Sequence, residues 1–516
     1  MLGAWQSHSE YRELVNKFKD TFRDNPILVD EWASLKSYWK PLRRFDLDPA
    51  LDVMKDMYSE TGRPSTQQPQ ILRSFALMSM MHVTSVTAWV NQLKNRPLLA
   101  LLIGCDPHGV AGTVIKVPSI GAHYDLQWRL WVSGSFEETH TKRDLEALLS
   151  PRFFNRIHET VAKIDAQKKK NTLKKGEKLP EATPTITECL TKWAEDDKEF
   201  PLHYEKNLQD LFRKLALIPS VNAGVIPSEN LTVSGDGTAF HVHSNPKGHR
   251  PHEAEYKAQP YEECPRYYQD PEASFGWDSD LGVSYFGYTL YNLCVHNSDL
   301  KVDLPVHIRV TSAARHDSVS GIIALHEFFE LNPDISVKNV CLDSAHDNMA
   351  THKWLLEMGI RPFIDLNDNR GRKPKVPSVP APDENGVPKC YAGLEMVRCG
   401  NDYKRMRTKY RCPLKCGKIS QCPLEASCSD SDYGRTKYVN MKDNPRLNPP
   451  VARDSKEYKE VYSNRTSCER CNNRFLNDYK LAQWKGHTRM RTSFMAIMDA
   501  ICMHLQAQEA ADPSKD

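Results

Sequence analysis

Leu231-Thr232-Val233-Ser234-Gly235-Asp236-Gly237-Thr238 decides how the rest of this chain is read. Leu231 and Val233 make a short β-prone run, which delivers one carboxylate, Asp236, into a turn between two glycines. A second stretch has the same form: Val337-Lys338-Asn339-Val340-Cys341-Leu342-Asp343-Ser344-Ala345. A carboxylate at the end of a buried strand is costly unless a cation or hydrogen bonds compensate. Read singly, each Asp is more simply a cap for the turn or helix that follows. Together they suggest strand ends converging on a metal.

The elements between the two acids give the fold class. After Asp236 comes a polar, aperiodic loop holding His241, His243, His249 and His252, which reads as exposed rather than metal-binding. Val283 to His296, rich in aromatic and branched residues, predicts a strand, and Leu304 to Val310 another. Ser318 to Phe329 has helical spacing, the Asp343 strand follows, and a helix from about Thr351 to Met358 leads to a short strand at Pro362–Leu366. That order describes an α/β core with an antiparallel beginning and a parallel addition.

The flanks differ in character. Tyr11–Phe22, Leu28–Trp39, Pro69–His82, Ser85–Leu93 and the run closing at Gly104 carry apolar residues at helical spacing, so an all-α domain is expected over 1–150, a candidate for DNA-end binding. Residues 151–225 read as a basic linker with helices, marked by Lys168-Lys169-Lys170 and Lys174-Lys175. The core is expected over 226–368 and again over 461–505, with a tail at 506–516. Between the two halves, 369–460 reads as an insertion. From Arg370 to Lys418 there are thirteen Lys and Arg against four Asp and Glu, and Cys390, Cys399, Cys412, Cys416, Cys422 and Cys428 fall within 39 residues. Cys399, Cys412, Cys416, Cys422 and Cys428 are the candidate ligands for a structural Zn2+, although paired Cys-x2-Cys knuckles are missing among them.

At 516 residues two to four domains are expected. The composition, 40% hydrophobic and 26% charged, is globular, and a net charge of +3 does not by itself call for nucleic acid. No apolar run reaches the length of a membrane span and the first residues lack a leader core, so no membrane partner is expected. Fourteen cysteines without an export signal argue for thiols or metal rather than a disulfide scaffold.

A third acid stands near the C-terminus. Tyr462, Arg465 and Glu469 are spaced three and four apart, which places them on one face of a helix expected from about Asn464 to Trp484. The ordered set Asp236, Asp343, a long insertion and Tyr-x2-Arg-x3-Glu resembles the insertion-sequence transposases of the DDE superfamily, within the subgroup that carries a tyrosine–arginine–glutamate signature. The resemblance spans roughly residues 60–505. It implies an RNase H-like catalytic core, a mixed sheet with flanking helices, preceded by the helical domain and interrupted by the Cys-rich insertion. It implies Asp236, Asp343 and Glu469 as catalytic ligands of two Mg2+ or Mn2+ ions, with Tyr462 and Arg465 gripping DNA phosphates. The signature's lysine falls here on Leu476, so Arg474 or Lys480 is expected to take its role. The implied activity is hydrolysis at terminal inverted repeats, then attack of the freed 3′-OH on target DNA, by a homodimer on double-stranded DNA in a cytoplasmic, nucleoid-associated setting. The alternatives are a metal-dependent nuclease of the same core without strand transfer, and a catalytically inactive, zinc-containing DNA-binding protein.

Overall fold

The computed structural model describes residues 1–131, 202–247, 269–367, 387–402, 407–440 and 446–512, apart from 271, 280, 447, 448, 452 and 454. The basic runs at 168–175, together with His249 and His252, lie outside the described residues. The N-terminal helices are α1 (His8–Phe22), α2 (Pro26–Leu42), α3 (Ala50–Met54), α4 (Gln68–Met80), α5 (Val86–Asn95), α6 (Pro97–Leu102) and α7 (Ile120–Trp131). Their starts follow from local chemistry. Ser7 and Glu10 form a capping box on α1, Asn25 caps α2 ahead of Pro26, and Ser85 accepts from the Ala88 amide at α5. Helix α4 is buried along its whole length. It packs on the final helix of the chain, which runs from Arg489 to Ala511 and is itself buried over most of its length. Phe75 and Phe494 meet edge-on at 4.6 Å, and the Ser79 hydroxyl donates to Asp499 at 2.6 Å. The N-terminal helices and the sheet therefore share one continuous apolar core.

The sheet is built from β1 (Leu231–His241), β2 (Ser274–Asp278), β3 (Val283–Asn297), β4 (Val302–Ser312), β5 (Val337–Leu342) and β6 (Arg361–Ile364). Strand β3 is the longest. It pairs with β1 along one edge, and with β2 and then β4 along the other, all antiparallel. Strands β5 and β6 add in parallel beyond β1, so the path runs β2-β3-β1-β5-β6 with β4 beside β3. The antiparallel beginning and parallel addition expected from the sequence are both present. Strand β2 is an element that the sequence reading missed, and the loop residue His241 proves to be the last residue of β1.

Helices cover this sheet: α8 (Leu202–Phe212), α9 (Asp317–Leu331), α10 (Met349–Glu357), α11 (Lys456–Tyr462), α12 (Thr466–Asn473) and the terminal α13 (Arg489–Ala511). Buried charge fastens α8 and α13 to β4. Arg309 pairs with Glu205 at 2.6 Å, Arg489 with Glu205 at 3.0 Å and with Glu272 at 3.2 Å, and His307 with Glu327 at 2.9 Å. Removing one partner from such a buried pair strands the other, at about 3–5 kcal/mol.

The insertion carries its own three-stranded antiparallel sheet, β7 (Val397–Asp402), β8 (Arg407–Arg411) and β9 (Thr436–Asn440). The long helix expected over 464–484 is instead broken. Helix α11 ends at Tyr462, a 3-10 turn spans Ser463–Arg465, and α12 passes into a π-turn at Arg474–Asp478 before Lys480 adopts a left-handed conformation at φ 57°. Leu476 packs against the core and Phe475 is fully buried, so the apolar side of this segment, rather than helical period alone, sets its path.

Candidate active site

Parallel pairing brings the two sequence-predicted aspartates together. Ser234 pairs with Cys341 and Gly235 with Leu342, so the next residues, Asp236 and Asp343, come out side by side. Asp343 follows the end of β5, whereas Asp236, expected in a turn between glycines, is the sixth residue of β1, because the pairing with β3 continues through His241. Both side chains take the face covered by α11 and α12, because Ser234 and Cys341, two residues back, hydrogen-bond the Asn464 and Val461 carbonyls there at 2.8 and 3.4 Å. Neither acid depends on a flexible loop for its position.

The two carboxylates are held differently. Asp236 makes no hydrogen bond or ion pair with a described residue. Burial first, then the negative charges of Asp343 and Asp317, push its pKa up to about 7, against the partial relief of His346 and Arg465. Asp343 moves the opposite way. Burial alone would raise it, but a 2.6 Å hydrogen bond from His346 Nδ1, the charge of that ring, the Ala345 amide at 3.1 Å and Arg465 together hold it below the usual carboxylate value. Asp343 is thus also the cap of the turn Ser344–His346, so the simpler reading of it was correct as far as it went. Asp236 caps nothing.

The segment following the insertion supplies the cation. Arg465, at the end of the 3-10 turn, pairs with Glu469 on α12 at 2.7 Å, and its charge is felt by both Asp236 and Asp343. Glu469 is thus tied to Arg465, and its side chain is 49% exposed. Cys468 and Cys471, which flank Glu469 in the sequence, are not a metal knuckle. They are fully buried against β3, and the Cys468 thiol donates to the Ser234 carbonyl at 3.0 Å, which locks α12 onto the strand carrying Asp236.

The remaining signature residues lie elsewhere. Tyr462 stacks on Tyr458 with ring centroids 5.5 Å apart and turns toward Asp365. Arg474 donates to the Asp303 carbonyl at 3.0 Å, and Lys480 sits near His82. Neither Arg474 nor Lys480 is drawn to the aspartates. In the insertion, Cys428 lies near Cys390, Cys412 and Cys422, whereas Cys399 is exposed with its sulfur 3.6 Å from the Tyr433 hydroxyl. Among the described residues, no three His, Cys, Asp or Glu side chains are grouped so that they could hold one metal ion.

Two residues at the site went unnoticed in the sequence. Asp317, the first residue of α9, lies over Gly237, where a Cβ would come within 2.6 Å of its Oδ1. The sequence reading began that helix one residue later and left Asp317 in a loop. Asn292 stands directly opposite Asp236 in the β1–β3 register and is fully buried, yet neither amide atom has a hydrogen-bond partner. Its only signal was a polar residue within an otherwise apolar strand.

Hard oxygen donors suit Mg2+ or Mn2+. Asp236 and Asp343 fit such an ion: they are adjacent, half-buried carboxylates, and one of them lacks any hydrogen bond. Glu469 is engaged by Arg465 and would have to leave it to join them. The chain matches no family model and no curated protein.

Proposed function

We propose that this chain is a DNA transposase with an RNase H-like core, cutting at terminal inverted repeats and joining the freed 3′ ends to target DNA. One observation carries the reading: β-sheet register sets Asp236 and Asp343 side by side, where both feel the charge of Arg465 from the segment after the insertion. The mixed sheet, with antiparallel β1, β3 and β4 and parallel β5 and β6 flanked by helices, is compatible with such a core and supports the reading.

Asp236 and Asp343 would hold a divalent ion, with Glu469 as the further carboxylate once Arg465 turns to the substrate. When bound, divalent ions neutralise charge on the attacking and leaving oxygens of a phosphodiester. The chain's own groups do the rest. Arg465 offers a planar fork that matches a phosphate as well as it matches Glu469, so an incoming phosphodiester can take the guanidinium and release the glutamate. The Ala345 amide and His346 keep Asp343 ionised. Asp236, its pKa pushed up to about 7 without a cation, would be fully ionised as a ligand beside one.

The decisive assay supplies the full chain with Mg2+ and a plasmid carrying the inverted repeats that flank its gene, and compares it with Asp343→Ala. Joined products from the wild type that vanish in the variant are expected. Nicking without joining would replace transposition by simple nuclease activity, and no metal-dependent cleavage by either protein would overturn the enzyme reading altogether.

A further inference from the structure

His346 has so far served only to keep Asp343 ionised, and Tyr291 behind it has no role in the mechanism. His346 is buried at 1% exposure and bonded at both ring nitrogens. Nδ1 is 2.6 Å from Asp343 Oδ1, and Nε2 is 2.8 Å from the Tyr291 hydroxyl. Tyr291 is itself fully buried on β3. An ionised carboxylate only accepts, so Nδ1 carries a proton aimed at Asp343, while the Tyr291 hydroxyl, which can donate or accept, holds Nε2 on the other side of the ring.

The backbone is arranged around this pair. A Cβ on Gly235 would come within 2.7 Å of the Tyr291 hydroxyl. One on Gly321 would come within 2.6 Å of that hydroxyl and 2.8 Å of His346 Nε2. Gly321 lies inside α9, where glycine is less favourable than alanine by about 1 kcal/mol. A strand interior at Gly235 carries a similar handicap. An apolar pair would satisfy packing there without two buried polar groups. Two glycines kept free of a side chain, on two elements, point instead to a need for the hydrogen-bonded chain itself.

We infer that His346, backed by Tyr291, is the positioning group that fixes the Asp343 carboxylate for a divalent cation. Both protein donors to Asp343, the His346 ring and the Ala345 amide, take Oδ1, which leaves Oδ2 for the ion. Outer partners of this kind orient ligating carboxylates, and their loss commonly lowers metal affinity by about 10–100-fold. The inference rests on the metal-dependent reading above and deepens it, since it assigns the support of that site.

The test is Mn2+ binding to the full chain without DNA, followed by calorimetric titration, beside the Mg2+ dependence of end cleavage. His346→Leu is expected to weaken Mn2+ binding about 10–100-fold, and His346→Gln, which can still donate to Asp343, to recover most of it. Tyr291→Phe removes a single oxygen and is expected to weaken binding by a smaller factor. A purely structural role would lower the unfolding temperature of these variants without this ordering in affinity. Wild-type binding that is unchanged in folded His346→Leu, or in Tyr291→Phe should the first fail to fold, overturns the inference and leaves the function standing. No Mn2+ binding by the wild type overturns both.

Discussion

The core sheet and the insertion sheet both arrived from the sequence as clusters of metal-binding side chains, and the fold treats them differently. Midway along β1 and at the end of β5, ladder register forces Asp236 and Asp343 into adjacency, since a slip of one residue would turn every side chain to the other face. In the insertion, Cys399 sits at a bulge inside β7, Cys412 just past β8, and Cys428 at the end of a short helix, Glu425–Cys428. No single pairing of strands spaces them all, and Cys399 ends up on the surface. Ligand-type residues become a site when backbone pairing, not composition, sets their distances.

That contrast can be broken in several ways. The largest effect is expected on chemistry. Asp236→Ala and Asp343→Ala should each lower metal-dependent end cleavage by at least about 10²–10³-fold, the scale of losing one preorganised electrostatic contact to a transition state. Single-turnover cleavage rates check this, and wild-type rates in either variant would remove the pair from catalysis.

The next effect distinguishes the two aspartates from each other. Asp236 has a folded pKa near 7 against an ordinary 3.8, so the fold binds its proton more tightly than the unfolded chain does. Its ionisation therefore weakens the metal-free fold as pH rises through that interval. Asp343, held low, contributes stability that is present above its unfolded value and lost as pH falls below it. At pH 8 in chelator, Asp236→Asn should raise stability by about 2–4 kcal/mol. Under the same conditions Asp343→Asn should lower it by about 1–3 kcal/mol. Urea midpoints measure both, and shifts of the same sign would show that the two environments are not opposed.

Smaller changes sharpen the comparison further. Asn292→Leu replaces an amide with two unpaired buried atoms by an apolar group of similar shape, and should raise the unfolding free energy measured in urea by about 1 kcal/mol. Cys399→Ser, on the exposed side of the insertion, should stay within about 0.5 kcal/mol of the wild type. A larger loss at Cys399 would mean that the insertion cysteines are more tightly organised than their placement indicates.

Much of this architecture could be read from residues. The β-prone runs ending in Asp236 and Asp343, the aromatic strand from Val283 and the helix after Ser318 all carry period and composition strong enough to survive folding. The order of elements then constrained the sheet to an antiparallel start and a parallel extension. What escaped reading depends on tertiary contact. Strand β2 is five residues with Gly276 at its centre, too short and too weak in propensity to announce itself. The break in the helix after Asn473 follows from Phe475 and Leu476 seeking the core. Asp317 and His346 are ordinary polar residues in sequence. Their relevance comes from Gly237, Gly235 and Gly321 leaving room for them, which only the packed structure reveals.

The central claim is that Asp236 and Asp343 share one divalent cation. Calorimetric titration of Mn2+ into the metal-free full chain at pH 7.5, repeated with Asp236→Ala and with Asp343→Ala, tests it most directly. Saturable binding by the wild type that is lost in each single variant is the predicted result. Equal binding by the wild type and both variants would contradict the claim.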